Sequence, residues 1–394
     1  MQEFALTEYH AVAIAAVVIF VGRFLLRKVP ILKRYCIPVP VIGGLVFSLL
    51  NLLFYVSGIG YFTINTSLQT FFMSLFFCTV GFSVSFKLLY KSGVQLIPLL
   101  LVTTLIIVIQ NSVGCSLASF FGLDAKLGLA MGSIPLVGGH GTAGSFGPLL
   151  ESTYGVENAN TVAIAVATFG LVAGSLIGGP IAKALIVNHQ LVTPKVSQEK
   201  EAAQAVTRKI QFERMLDATF LLMLAVGAGS VINNLFSALN VQFPFYIGAM
   251  ILACLLRNTL EWRKVDIPMS EIQCLGAISL DLFLGMALVG VKLWQLAGLA
   301  TAMVTILAVQ TLLMAVAAYF LVFSVMGRDY EAACFSAGVC GFGLGATPNA
   351  IANIDAVNRH YGPSPRALFV IPIVGGLFID FINVLIITFY VNWV

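Results

Sequence analysis

Two interrupted apolar stretches decide the fold: LGLAMGSIPLVGGHGTAGSFGPL at residues 127–149 and EAACFSAGVCGFGLGATPNAIANI at residues 331–354. Each is broken near its centre by clustered glycines with a proline nearby, so neither forms one unbroken helix. At membrane depth, irregular backbone is tolerated only where it is buried in protein or lines a wet cavity. We therefore predict that both stretches form re-entrant hairpins.

The composition restricts the class of protein. The chain has 394 residues, of which 59% are hydrophobic and 10% are charged, and its mean hydropathy is +0.98. Soluble domains carry about 25% charged residues, so this chain lacks the charge to cover a water-exposed surface. The net charge is only +4, and no basic cluster is interleaved with aromatics as nucleic-acid binding requires. An all-α polytopic membrane protein remains.

Ten further apolar segments have the length of a spanning helix, which is about 20 residues. They are 8–26, 37–56, 68–90, 94–121, 160–187, 215–239, 243–258, 273–291, 296–325 and 367–390.

The two halves of the chain resemble each other. Residues 122–142 and 327–347 are equally long, each has Asp at its third position, and each ends in Thr after a glycine-rich segment. We therefore predict a first repeat at 1–187, a linker at 188–214 and a second repeat at 215–394. Five spanning helices make an odd number of crossings, so the second repeat is inverted relative to the first, as in many transporters.

The distribution of basic residues tests this topology. With the N-terminus outside, the alternating model assigns 19 of the 21 Lys and Arg residues to one side, leaving Lys126 and Lys292 opposite. Positive charge is retained on the cytoplasmic side of membranes. The sequence therefore predicts that both termini are outside and that the linker is cytoplasmic.

The hairpin tips are the candidate binding site. Helix N-termini carry unpaired N–H groups and partial positive charge that suit a carboxylate, while exposed carbonyls suit Na⁺. The alternatives are that the glycines only allow close helix packing and that the histidine is structural. The candidate substrate-binding residues are Ser133, Gly138, Gly139, His140, Gly141, Thr142, Gly341, Gly343, Gly345, Ala346, Thr347 and Asn349.

Polar groups inside spans suggest how an ion could be coupled. Asn111, Asp380 and Asn383 offer oxygen atoms for Na⁺, and an Asp could instead carry a proton. Interhelical hydrogen bonding is the structural alternative. Asp281 also lies within a span, but we assign it no coupling role. No second His or Cys lies at ligand spacing from His140, so we predict no metal centre.

Several motifs resemble the bacterial sodium/glutamate symporters over nearly the whole chain. They are GGHGTAGS at 138–145, CGFGLGATPNAIAN at 340–353, IPVPVIGGL at 37–45, GLDAKLGLAMGSI at 122–134, ATFGLVAGSLIGGP at 167–180 and FIDFIN at 378–383.

The resemblance implies Na⁺-driven import of L-glutamate across the bacterial inner membrane. It also implies ten spanning helices, two oppositely oriented pore loops, a homodimer and an elevator-like movement, with no cofactor besides Na⁺ as the coupling ion.

Other functions remain open at this stage. Within transport, the alternatives are a carrier of another carboxylate, an H⁺-coupled carrier and a passive channel. An intramembrane enzyme would need a nucleophile and base, or paired carboxylates, at one depth, and the sequence offers no evident pair.

Overall fold

The computed structural model describes residues 2–30, 32, 38–65, 67–87, 96–192, 211–238 and 245–394. Within them the chain is almost entirely helical. Its elements are β1 (Gln2–Leu6), α1 (Glu8–Lys28), α2 (Val39–Val56), β2 (Gly60–Ile64), α3 (Ser67–Ser83), α4 (Leu96–Phe120), α5 (Ala125–Leu129), α6 (Ser133–Leu136), α7 (Gly139–Tyr154), α8 (Ala159–Asn188), α9 (Phe212–Ala238), α10 (Phe245–Trp262), α11 (Met269–Val289), a 3₁₀ helix (Leu293–Leu299), α12 (Ala300–Val325), α13 (Tyr330–Leu344), α14 (Thr347–Tyr361) and α15 (Pro365–Trp393).

Every predicted span falls on a helix, which confirms the all-α membrane architecture. Eight of the described helices are long and apolar enough to cross a membrane, namely α1, α2, α4, α8, α9, α11, α12 and α15. The other two predicted spans fall on α3, which has 17 residues, and on α10. Parts of these predictions lie outside the described residues: position 37, 88–90, 94–95, 239 and 243–244 of the spans, and 193–210 of the linker.

The helix α3 ends at Ser83, seven residues before the end of the predicted span 68–90. The side chain of Asn258, on α10, binds the backbone just after this helix end. It accepts a hydrogen bond from the Phe86 N–H (2.8 Å) and donates one to the Val84 carbonyl (3.0 Å). These bonds replace the helical ones, so the helix stops while its backbone groups stay paired.

The all-α prediction leaves out β1 and β2, which form a short parallel pair with Gln2 opposite Gly60 and Leu6 opposite Ile64. The rings of Phe4 and Phe62 lie 5.3 Å apart across it. Five-residue strands next to longer apolar helices leave little periodic signal, because a short apolar run fits either structure.

The helices pack as two groups, each drawn from both sides of the linker. The six-helix group comprises α1–α3 and α9–α11, which contact one another extensively. The hairpin group comprises α4–α8 and α12–α15, and its central contacts join α8 to α7, α13 and α14. Most of the largest buried cluster belongs to the hairpin group, and a separate cluster forms between α3, α9, α10 and α11.

Both interrupted stretches are broken as the glycine patterns predict. The first is divided among α5, α6 and α7, so it breaks twice, and the second divides into α13 and α14, which pack against each other. The re-entrant insertion, the inversion of the repeats and the repeat boundaries stay predictions.

A buried carboxylate fixes the base of the second hairpin to α15. Glu331, at the start of α13, accepts hydrogen bonds from the N–H groups of Ala367 (2.9 Å) and Arg366 (3.3 Å). These are first-turn N–H groups, which have no partner inside their own helix.

We expect the substitution Glu331→Ala to lower the free energy of unfolding by about 1–3 kcal/mol, because it leaves those N–H groups unpaired at a buried position. Thermal melting of the purified protein in detergent measures the change. Asp355→Ala is the control, since no described residue forms a salt bridge or hydrogen bond with the Asp355 side chain. Equal melting temperatures for the two variants would contradict the assignment.

Candidate functional site

The first tip is the connection between the end of α6 and the start of α7. The chain turns at Val137 and Gly138, and α7 begins at Gly139 with φ of +61°. That conformation favours glycine, because a Cβ would be strained there. No side chain caps α7, so the N–H groups of Gly139, His140 and Gly141 have no partner within the helix.

The second tip is formed where α13 gives way to α14. The chain leaves α13 at Gly345, passes through extended Ala346 and enters α14 at Thr347, again with no side-chain cap. The two arms approach closely behind the tip, since a Cβ on Gly341 would lie 2.3 Å from the Ala350 nitrogen. Glycine at 341 is therefore a packing requirement.

Both tips line one cavity of about 300 Å³. Its polar side chains among the described residues are those of His140, Thr347 and Asp380, and no Lys or Arg is among them. The predicted site residues that line it are Gly138, Gly139, His140, Gly141, Gly345, Ala346, Thr347 and Asp380. The two glycine-rich tips therefore lie at one cavity, and their role in binding substrate stays a prediction.

His140 has a defined hydrogen-bonding role in this cavity. Its Nε2 lies 3.0 Å from Thr168 Oγ1, and that hydroxyl donates its own hydrogen to the Ile164 carbonyl (3.1 Å). Thr168 Oγ1 must therefore accept from His140, which places the ring hydrogen on Nε2. In the neutral ring, Nδ1 is then left as an acceptor.

Two of the three predicted Na⁺ ligands meet behind the first tip rather than in the cavity. Asn111 of α4 accepts a hydrogen bond from the Ser133 N–H (2.9 Å), and Asn383 of α15 donates to the Ser133 carbonyl (3.1 Å). Ser133 Oγ and Asn383 Oδ1 are buried without a hydrogen-bond partner. Asp380, one turn before Asn383, is the member of the predicted trio that lines the cavity.

The second tip is held by amide side chains in the same way. Gln110 donates from Nε2 to the Gly343 carbonyl (3.0 Å), and Asn349 donates from Nδ2 to the Leu171 carbonyl of α8 (2.8 Å). Gln310 in turn donates to the backbone carbonyl of Gln110 (2.8 Å).

Five predicted substrate-binding residues lie behind the lining rather than in it: Ser133, Thr142, Gly341, Gly343 and Asn349.

Sequence reasoning missed the apolar part of the lining. From the six-helix group come Phe76, Leu280 and Leu284, and Pro38 precedes α2. These residues look like any other apolar residue of a span, so no sequence signal marks them. The pair Gly375 and Gly376 also lines the cavity, within a π-helical segment of α15 (Val374–Phe378). Such segments occur often at functional sites, and adjacent glycines before Asp380 were the available signal.

A larger cavity of about 490 Å³ lies apart from the tips, between α7, α8 and the 3₁₀ helix. Glu151 and Lys292 line it, and Glu151 Oε1 accepts a hydrogen bond from the Asn160 N–H (3.0 Å). Burial raises the pKa of the Glu151 carboxyl, while Asn160 and Lys292 act in the opposite direction. Since this cavity contains neither tip, it is not the candidate binding site.

Comparisons with known proteins agree on a family. The family model described as "Sodium/glutamate symporter" matches residues 4–363. The sodium/glutamate symporter of Escherichia coli (strain K12) is 39% identical over 385 residues, which cover 95% of each chain. That of Haemophilus influenzae is 35% identical over 390 residues, covering 97% of this chain and 96% of the relative.

Among solved structures, the sodium proton antiporter MjNhaP1 from Methanocaldococcus jannaschii aligns over 97% of each chain with a TM-score of 0.45 and 14% identity. A likeness at this level supports no argument. The family match includes both interrupted stretches and both tips, and the two relatives align with 95% and 97% of this chain. The chain therefore belongs to the sodium/glutamate symporter family and is a membrane transporter rather than an enzyme.

Proposed function

We propose that this protein imports L-glutamate together with Na⁺ and that both are held where the two tips converge. Symport of Na⁺ and glutamate is the activity after which the family and its relatives are named. The observation that carries the proposed site is the single cavity shared by residues 138–141 and 345–348. Its volume of about 300 Å³ lies at the lower end of the range for small-molecule sites.

The carboxylates of glutamate bind to backbone rather than to a basic side chain. The free N–H groups at the start of α7 and the N-terminus of α14 supply partial positive charge from two directions. Thr347 adds a hydroxyl donor, and no Lys or Arg is among the described lining residues. Two helix N-termini suit a substrate with two carboxylates.

Na⁺ binds beside the first tip, at oxygens supplied by Asn383 and Ser133 and with the charge of Asp380 nearby. Asn383 Oδ1 and Ser133 Oγ are buried and unpartnered, and leaving such groups unsatisfied costs about 1–3 kcal/mol each. A cation would satisfy both oxygens. Asn111 fixes the Ser133 backbone on the other side and so positions this site.

Asp380 couples the binding of Na⁺ to the binding of glutamate. An anionic substrate and the Asp380 carboxylate share one small cavity, and like charges repel strongly where water is scarce. A Na⁺ ion near Asp380 offsets that repulsion and raises the affinity for glutamate. The coupling is reciprocal, so bound glutamate raises the affinity for Na⁺ by the same factor.

The hairpin group carries the substrate past the six-helix group in an elevator-like movement. Every polar side chain and every tip residue of the described lining belongs to the hairpin group. The six-helix group contributes only Phe76, Leu280 and Leu284, with Pro38 ahead of α2. An apolar wall makes no directional bonds to the substrate, so it offers little resistance to sliding.

The proposal also covers the orientation of the protein in the membrane and its oligomeric state. The 19 basic residues on one side favour a cytoplasmic linker and both termini outside. We further propose that the protein lies in the bacterial inner membrane as a homodimer, and both statements rest on the family resemblance alone.

We expect proteoliposomes containing the purified protein to accumulate labelled L-glutamate when an inward Na⁺ gradient is imposed. At a membrane potential of 100 mV, each net positive charge carried inward adds about 2.3 kcal/mol to the driving force. A pH gradient without Na⁺ is the control, and unlabelled glutarate is the competitor that tests for another carboxylate. Equal uptake without Na⁺ would contradict the coupling.

Replacing Asp380 by Asn should weaken the coupling between the two solutes. In the wild-type protein we expect Na⁺ to raise glutamate affinity by a factor in the usual range of about 5–150, and in Asp380→Asn by much less. Calorimetric titration of glutamate at several Na⁺ concentrations measures the factor. Asp281→Asn is the matched control, since Asp281 adjoins the lining residue Leu280 but does not line the cavity. An unchanged factor in Asp380→Asn would contradict this role.

A disulfide between the helix groups should stop transport. A Cβ on Gly144 of α7 would lie 3.5 Å from the Ala287 Cβ of α11, within the range for a disulfide. In a cysteine-free background, we expect oxidised Gly144→Cys/Ala287→Cys to lose uptake and dithiothreitol to restore it.

The control cross-link joins α11 to α1 inside the six-helix group. A Cβ on Gly285 would lie 3.1 Å from the Ala15 Cβ, which is closer than the two Cβ atoms of an ordinary disulfide. A disulfide in Ala15→Cys/Gly285→Cys therefore requires the two helices to separate by a few tenths of an ångström, and we expect the oxidised variant to keep its uptake. Full uptake by the oxidised inter-group variant, with the disulfide verified by mass spectrometry, would show that the two groups do not move against each other.

A further inference from the structure

A third cavity, of about 360 Å³, lies on the six-helix group, away from the tips. It is formed by α9, by the last turns of α10 and by the turn that leads into α11. The residues that line it are Asp217, Phe220, Leu221, Leu224, Leu260, Val265, Asp266, Ile267 and Pro268.

The apolar side of this cavity is exposed at the outer surface of α9. Phe220 is 66% exposed and Leu224 is 58% exposed, although both lie within the span Phe212–Ile232. On a spanning helix, such side chains face hydrocarbon. A ligand of this cavity therefore needs an apolar chain.

The polar side of this cavity is acidic. Asp217 is exposed and lies five residues after Phe212, so it sits about 7–8 Å into the helix. Among the described residues, none forms a salt bridge or hydrogen bond with its carboxylate, whereas Asp266 pairs with Arg214. A carboxylate within a spanning helix is costly and usually has a function, and no described residue pairs a cation with this one.

Two basic residues are next in sequence to the residues that line the cavity. Arg263 and Lys264 immediately precede the lining residue Val265 in the turn after α10, and both are exposed. A head group that carries both charges would thus find an acidic and a basic partner at this place, with an apolar groove beside them.

We propose that this cavity binds a phospholipid with a primary-amine head group, such as phosphatidylethanolamine. The ammonium donates hydrogen bonds to Asp217, the phosphate lies near Arg263 and Lys264, and one acyl chain follows Phe220, Leu224 and Leu260. A quaternary amine has no N–H to donate, and an anionic head group without an amine leaves Asp217 unpaired, so the site discriminates among lipids. The inference is independent of the transport proposal.

The test is lipid binding to the purified full-length protein, with native mass spectrometry counting bound phosphatidylethanolamine, phosphatidylcholine and phosphatidylglycerol of matched chain length. We expect the wild type to prefer phosphatidylethanolamine by about tenfold, which corresponds to one charged hydrogen-bonded contact of about 1.4 kcal/mol. Asp217→Asn should lose the preference, and Phe220→Ala should weaken the binding of all three lipids.

Glu213→Gln is the matched control, because Glu213 lies one turn before Asp217 on α9 and does not line the cavity. It should keep the preference. The proposal is wrong if Asp217→Asn keeps the preference, or if all three lipids bind the wild type equally. It is also wrong if the preference appears only after Lys195, Lys200, Arg208 and Lys209 of the linker are replaced by Gln, since the linker would then be the occupant.

Discussion

The structure depends on one constraint: where a helix breaks in the buried interior of this membrane protein, its free backbone groups must be satisfied by other helices. Here the amide side chains of residues far away in the sequence form the required hydrogen bonds. Asn111 and Asn383 hold the two backbone groups of Ser133, while Gln110 holds the Gly343 carbonyl. An amide suits the role because it donates and accepts without a net charge, so it avoids the large cost of burying an ion.

The same constraint explains why the polar part of the cavity belongs to one helix group. A break and its supporting amides must keep their positions relative to one another, since each lost hydrogen bond leaves a buried group unpaired. They therefore belong to a unit that moves, if it moves, as one body. The boundary with the six-helix group is formed by side chains such as Phe76 and Leu284, whose contacts can exchange at little cost because they are not directional.

The sequence predicts the helices and both breaks because length, hydropathy and glycine clusters are local signals. It also predicts the tip residues 138–141 and 345–347 that line the cavity. It does not separate them from Ser133, Gly343 and Asn349, which lie behind the lining, because lining and support use the same small and polar residue types. The sequence could not predict that Phe76 lines the cavity, because only the packing of α3 against α7 distinguishes it from a lipid-facing phenylalanine.

The described lining of the cavity contains no basic side chain, which bears directly on the proposed mechanism. A fixed Arg would bind glutamate whether or not Na⁺ was present, and such a site would release its substrate slowly. Helix N-termini provide only about half a charge each, and in the proposed mechanism the Asp380 carboxylate, when ionised, opposes them. Under this proposal, the affinity for an anion is low until a cation binds, and it falls again when the cation leaves. A symporter needs this conditional affinity, because a site that bound glutamate alone would carry it without drawing on the Na⁺ gradient.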